Sequence, residues 1–236
     1  MTQFLPTSTT TDEEQRSAEV AVLPVGSCEQ HGPYLPLITD TLIACILSSQ
    51  IAQVYPVLSL PPITISCSHE HTGWAGTASI SARTLYNVIG DVYQSVTRSG
   101  PSALVVVNAH GGNDVLRNVV QEHSAMGYRA GLYPARGDWE EARRAAGLET
   151  SSHEDMHAGE IETSILLHAC PEMVRDGYQL ADWTADDRWD LPSVGMRGFT
   201  KSGIIGRPSL GSAIKGKTVL DSLVAGFARI LKIVRA

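Results

Sequence analysis

The segment ALVVVNAHGGNDVLRNVVQEHSAMG, residues 103–127, passes from an apolar run through a polar turn into a stretch of helical spacing. The run 103–108 has no polar face, so it reads as a strand buried on both sides. AHGG is a turn, and NDVLRNVVQEHSAMG is a helix that stops at Gly127. A further apolar run, RAGLYPA at 129–135, then supplies the next strand. Strand, helix and strand in this order demand a right-handed crossover and a parallel sheet.

The same grammar extends in both directions. EVAVLPV at 19–25 is a continuous apolar run closed by Gly26, and DTLIACILSSQIAQV at 40–54 has apolar residues at helical spacing, with Thr39 or Asp40 as its cap. VLSLPPITI at 57–65 reads as a second strand whose paired prolines break a regular ladder. Residues 81–100 follow as a helix with Ser81 as N-cap and Gly100 as stop. After Ala135 the pattern weakens, through a polar helix at 138–147, the loop TSSHEDMHAGE and the helix GEIETSILLHA. Residues 176–215 read as loops, forming a lid or an oligomer contact. KTVLDSLVAGFARILKIV closes the chain as an amphipathic helix packed on the sheet. The expected fold is α/β, a mostly parallel central sheet between helical layers.

At 236 residues and 43% hydrophobic content the chain can bury a core, and its length favours one domain, residues 19–236, behind a loose N-terminal arm at 1–18 rich in Thr, Ser and Glu. A net charge of -7 without basic clusters excludes a nucleic-acid partner. No apolar stretch is long enough to span a membrane, and the arm lacks the basic and apolar regions of a secretory signal. Cys28, Cys45, Cys67 and Cys170 show no CxxC spacing, which fits a reduced compartment; the expected location is the cytoplasm.

Three polar clusters fall at strand ends, where open parallel sheets bind ligands. In the first, GSCEQHGPYLPLITDT at 26–41, Glu29 and His31 stand two residues apart in extended chain and face one side, with Asp40 at the mouth of the next helix. Read singly, Asp40 is only a cap, and Glu29 and His31 are solvated loop residues. The second, NAHGGN, offers His110 beside Gly111 and Gly112, which allow close backbone approach or positive φ, with Asn108 and Asn113 free to bond the turn. The third, HEDMHAGEIETS, holds His153, Glu154, Asp155, His157, Glu160 and Glu162. If a helix begins near Gly159, Glu160 and Glu162 point apart, so one enters the site and the other is a solvated carboxylate at the helix start. Imidazoles and carboxylates without thiolates suit Zn²⁺, Mn²⁺ or Fe²⁺. Two such ions a few Å apart activate water and polarise a carbonyl, which is what amide hydrolysis needs.

In order and register, VLPVGSCEQHGPYLPLITDTLIA, VVVNAHGGN and DMHAGEIETS resemble the creatininase family of metal-dependent amidohydrolases over roughly residues 19–170. The resemblance implies an α/β/α sandwich, a hexamer assembled as a trimer of dimers, and two divalent metal ions per subunit. It matches Glu29, His31, Asp40 and His110 to metal ligands, with Asp40 bridging both ions, and His157 to an active-site histidine suited to hold or protonate a tetrahedral intermediate. Zn²⁺ is the expected metal, with Mn²⁺ or Fe²⁺ as alternatives. Creatinine-hydrolysing members carry a metal-binding glutamate two positions after the second cluster's histidine, where this chain has Gly112. Glu162 is then the candidate to complete the second ion's shell and to act as a catalytic carboxylate. The glycine-glycine form is closer to members acting on other amides, including the mycofactocin-maturation peptidase and the formamidopyrimidine deformylase of archaeal flavin biosynthesis. SCSHEHTGWAGTASIS resembles a segment lining the family's pocket, which makes His69, Glu70, His71 and Trp74, together with Asn108, Gly111 and Gly112, candidate substrate contacts. Cys28 has no partner pattern that would activate it as a nucleophile.

The implied activity is hydrolysis of a C–N bond, in an amide, lactam or formamide of a small molecule or short peptide, by a metal-activated hydroxide. A non-catalytic small-molecule-binding doubly wound domain is the alternative. No GxGxxG, GxxxxGK[ST] or GxSxG is present to support a nucleotide-binding or serine-hydrolase reading.

Overall fold

A computed structural model describes residues 4–236. Four parallel strands, β1 (Val20–Val25), β2 (Val57–Ser59), β3 (Ala103–Asn108) and β4 (Arg129–Tyr133), form a sheet of order β2-β1-β3-β4. β1 and β3 pair in register from Val20↔Ala103 to Val25↔Asn108, so the two apolar runs end level with each other. Their side chains alternate between two cores. Val20, Val22, Ala103, Val105 and Val107 face one layer, while Ala21, Leu23, Val25, Leu104 and Val106 face the other.

The first layer contains α2 (Thr39–Val54), α5 (Arg136–Ala145), α6 (Glu160–Ala169) and α8 (Ala213–Arg235), and the second contains α3 (Ala82–Thr97) and α4 (Val115–Ala125). The architecture is therefore the three-layer α/β/α sandwich with a parallel sheet. α8 buries Val219, Leu220, Leu223, Phe227, Ile230, Leu231 and Val234, a stripe at three- and four-residue spacing; burying Phe227 alone is worth about 2 kcal/mol. α2 is buried nearly all round because it packs on β1 and β3 and is flanked by α6 and α8. Ser81 caps α3 by accepting from the Thr84 N–H.

Four expectations change. The stretch read as a loose arm carries a short helix, α1 (Thr10–Arg16), closed by a capping box between Thr9 and Asp12. β2 stops at Ser59, ahead of Pro61 and Pro62; past it, Leu60 N–H still donates to Val22 C=O, and Ile63 bridges back to Val25. Neither Thr39 nor Asp40 caps α2: its N-cap is Ile38, without a side-chain bond, and Asp40 is turned into the interior. The loops of 176–215 contain single helical turns at Tyr178–Leu180, Met196–Gly198 and Pro208–Leu210 and one four-residue helix, α7 (Leu191–Val194). Among the described residues no helix is long and apolar enough to cross a membrane.

Candidate metal centre

The loops after β1, β2 and β3, joined by the loop before α6, converge at one rim of the sheet. Where β1 ends, a Cβ on Gly26 would run into the Thr41 backbone, so the chain leaving the strand and the chain entering α2 touch directly. This close approach carries Asp40 back over the β1 terminus. Its Oδ1 lies 3.2 Å from His31 Nε2 and its Oδ2 3.0 Å from His110 Nδ1, while Ser27 donates to Oδ2 at 2.6 Å. Asp40 thus joins the first cluster to the second.

Glu29 sits at the centre. Its Oε1 is 3.2 Å from His71 Nε2 and 3.8 Å from His157 Nδ1, and its Oε2 is 3.2 Å from His110 Nε2. Both oxygens are fully buried, yet neither is aligned in a hydrogen bond. A buried carboxylate left in this condition costs several kcal/mol unless something positive faces it (roughly, for an ion of this size). Three sets of donor atoms lie close enough together to share a cation: Glu29 with His31 and His157, Glu29 with Glu70 and His110, and His31 with Asp40 and Glu162. Imidazole nitrogen with carboxylate oxygen is the donor chemistry of Zn²⁺ and Mn²⁺, so the residues present fit the divalent metal that the motifs imply.

Local hydrogen bonds fix the rings. Gly32 N–H donates to Gln30 Oε1 at 2.9 Å and Gln30 Nε2 donates to Gly203 C=O at 3.0 Å, which sets the amide orientation; the same Nε2 donates to His71 Nδ1 at 2.9 Å. His71 therefore keeps its proton on Nε2 when neutral. His157 Nε2 donates to Gln30 C=O at 2.6 Å, leaving Nδ1 toward Glu29. His110 Nε2 donates to Cys67 C=O at 2.7 Å. Given up to a cation, that nitrogen would leave the ring proton on Nδ1, facing Asp40.

Electrostatics follow from burial and crowding. Burial works against a charged His31, but Asp40 beside it raises the ring to about 9. His110 is likewise held well above its usual range, Glu29 and Asp40 outweighing burial. Asp40 falls well below the usual carboxylate range because His31 and His110 overcome its desolvation. Burial lowers His71 to about 4, and burial with neighbouring His31 and His71 holds His157 well below its usual value. Burial raises Glu162 to about 7. At His31 and His110 the neighbouring carboxylates thus favour positive charge.

The third cluster divides as its spacing requires. α6 begins at Glu160 behind Gly159; Glu162 Oε1 reaches 3.9 Å from His31 Nε2, and Ala158 N–H donates to its Oε2 at 2.6 Å. Glu160 points away, but it is not the solvated carboxylate expected. It is fully buried, paired with Lys215 Nζ at 2.6 Å and bonded by Thr150 Oγ1 at 2.6 Å. Asp155 is also buried, against Arg143, whereas His153 and Glu154 are exposed, with Glu154 bonded to Ser151.

Of the proposed substrate contacts, Asn108 and Gly111 line a cavity of about 790 Å³ shared with His110, Glu162, Arg117 and Trp139. Asn108 also spends its amide on the turn, donating to His110 C=O at 2.7 Å and accepting from Asn113 at 2.9 Å. Gly112 lies outside that lining, and its φ is not positive: the glycine serves close approach alone. Trp74 is half-buried beneath the Arg197 guanidinium, 4.9 Å away. His71 is buried against Glu29, and Glu70, read as a substrate contact, lies within the ligand cluster. The roles of Gln30 and Cys67 C=O carry no sequence signal beyond their place beside the motifs.

The chain is similar in sequence and in fold to known proteins. The sequence profile of the creatininase family, described as creatinine amidohydrolase, matches residues 6–231. The chain is 36% identical over 216 residues to the mycofactocin precursor peptide peptidase of Mycobacterium ulcerans, covering 86% of this chain and 80% of that one. It is 24% identical to the creatinine amidohydrolase of Pseudomonas putida over 234 residues, 90% and 88% of the two chains. Among solved structures, a mutant creatininase of zinc-zinc type superposes with a TM-score of 0.78 at 20% identity, covering 96% of this chain and 95% of that one.

Proposed function

Because this chain belongs to the creatininase family, we propose that it is a metal-dependent amidohydrolase that cleaves a C–N bond in a short peptide or small amide, lactam or formamide. Glu29 carries the reading: a fully buried carboxylate, ringed by three imidazoles yet with neither oxygen aligned in a hydrogen bond, is the setting a bound cation would complete. The relatives, a precursor-peptide peptidase and a creatinine amidohydrolase, support hydrolysis over the non-catalytic alternative.

Glu29 and His110 would hold one divalent ion and His31, Asp40 and Glu162 the other, with Zn²⁺ the first choice because a zinc-zinc creatininase shares the fold. When bound, the pair supplies an activated water and polarises the scissile carbonyl. The chain does the rest. His157, neutral and anchored through Nε2, presents Nδ1 to the centre, where it takes a proton and returns it to the departing amine nitrogen. Gln30 keeps His71 Nε2–H aimed at Glu29, which fixes that carboxylate. The substrate enters the cavity past Asn108 and Gly111, with Trp139 as an apolar wall. His71, Trp74 and Gly112 stand outside that lining, and His71 acts through Glu29. The one domain spans residues 19–236. Exposed Leu180 and Trp189, 91% and 89% accessible in the 176–215 segment, support a contact between copies in a hexamer. We place the enzyme in the cytoplasm, free of disulfides among Cys28, Cys45, Cys67 and Cys170.

The test is a screen of lactams, formamides and short peptides before and after chelation. Chelation should abolish turnover and Zn²⁺ or Mn²⁺ restore it. Metal content below about half an equivalent per chain after mild purification, or full activity of a Glu29→Ala, His110→Ala double variant, would overturn the reading.

A further inference from the structure

Glu70 occupies the single helical turn His69–His71 between β2 and α3, and its carboxylate does not look outward. Oε1 lies 3.5 Å from His110 Nε2 and 4.0 Å from His71 Nε2, and with Glu29 and His110 it forms one of the three donor sets able to share a cation. Gly112 makes this possible. A Cβ there would overlap Glu70 Oε1, come within 2.5 Å of His110 Nε2 and within 2.9 Å of Cys67 C=O. The backbone at 112 demands no glycine, since its φ is not positive. What the missing side chain provides is room, and Glu70 fills it.

On the metallohydrolase reading above, we propose that Glu70 is a metal ligand, completing with Glu29 and His110 a site for a divalent cation that stands opposite the His31, Asp40 and Glu162 site. Its neighbour His71 does not compete for that role. Gln30 donates to His71 Nδ1, so the nitrogen facing the centre carries a proton and has no lone pair to give. Four carboxylates, Glu29, Asp40, Glu70 and Glu162, gather at the centre, the anionic surroundings that divalent cations would offset. The two sites then match in design. Each has an imidazole from a strand-end motif and a flanking carboxylate from a helical turn elsewhere in the chain, and Asp40 lies between the two rings, 3.2 Å from His31 and 3.0 Å from His110.

The experiment measures metal, not turnover. Full-length chain and a Glu70→Gln variant are stripped with chelator, titrated calorimetrically with Zn²⁺ and with Mn²⁺, and analysed for bound metal after desalting. The parent is expected to hold about two equivalents, and Glu70→Gln to hold one or to bind its second at least about tenfold more weakly. Glu70→Asp, with the charge kept but drawn back, should fall between the two. Circular dichroism of the stripped proteins checks that both variants are folded. Two equivalents at unchanged affinity in Glu70→Gln would overturn the assignment and leave the metallohydrolase reading intact. A parent that binds no cation would overturn both.

Discussion

Arg143 donates from Nη2 to Asp155 Oδ2 at 2.6 Å, and the same carboxylate accepts the Glu160 N–H on Oδ1 at 2.6 Å and the Ile161 N–H on Oδ2 at 2.9 Å. One buried ion pair thereby ties α5 to the first turn of α6, the turn that presents Glu162 to His31. Burial raises the Asp155 carboxyl even against the pull of Arg143, so this group depends on its partner. Arg143→Met should destabilise the fold by about 3 kcal/mol, because it strands a buried carboxylate. Urea unfolding would show the loss. If stability were unchanged while metal affinity fell, the pair would matter only to the centre.

The Glu160 and Lys215 pair predicts how stability depends on pH. Burial works to raise the Glu160 carboxyl, but bonds from Lys215 and Thr150 bring it below the ordinary 4.5. Burial works to lower Lys215, but Glu160 and Glu149 raise it above 10.5. A depressed carboxylate stabilises above its unfolded value and loses that contribution as pH falls through the folded one. A raised ammonium stabilises below its unfolded value and loses that contribution as pH climbs through the folded one. Lys215→Met should therefore cost most between about pH 5 and 10, roughly 3 kcal/mol, and progressively less in acid. Denaturation midpoints at pH 7 and pH 3.5 that differ from the parent by equal amounts would refute this.

Gly203 has φ +92, and a Cβ there would strike the Gln30 side chain. Gly203→Ala should cost about 2 kcal/mol through backbone strain and release Gln30 from His71. The expected signature is a fall in kcat larger than any change in KM, seen in steady-state kinetics on whichever amide the screen identifies.

Cys28 is half-buried, its thiol directed at Gly76 C=O at 3.6 Å, with no imidazole hydrogen-bonded to it. Cys28→Ala should retain activity to within about twofold, and iodoacetamide should not inactivate the parent through this residue. A covalent adduct between substrate and Cys28 in mass spectrometry would contradict that.

The sheet was legible because strands buried on both faces leave continuous apolar runs, as at Val20–Val25 and Ala103–Asn108. The convergence of Glu29, His31, Asp40 and His110 was legible because strand ends aim loops at one rim. Glu160 was not. Its partner Lys215 lies on α8, in a stretch read as loop, and helix spacing says only that Glu160 and Glu162 point apart. The cap of α2 was misplaced because an aspartate before an apolar run looks the same whether it bonds the helix N–H groups or a neighbouring histidine. Glu70 could not be ranked above His69 or His71 without knowing that position 112 faces it across the sheet rim.

The donors reach this centre from separate loops, and α6 brings the last of them. As the chain leaves the ribosome, Glu29, His31, Asp40, Glu70 and His110 are made well before His157 and Glu162. On the metallohydrolase reading, a nascent chain would offer only an open, weak nest to passing ions, and loading would wait for α6 to dock. On that same reading, occupancy would thus be a late signature of completed folding.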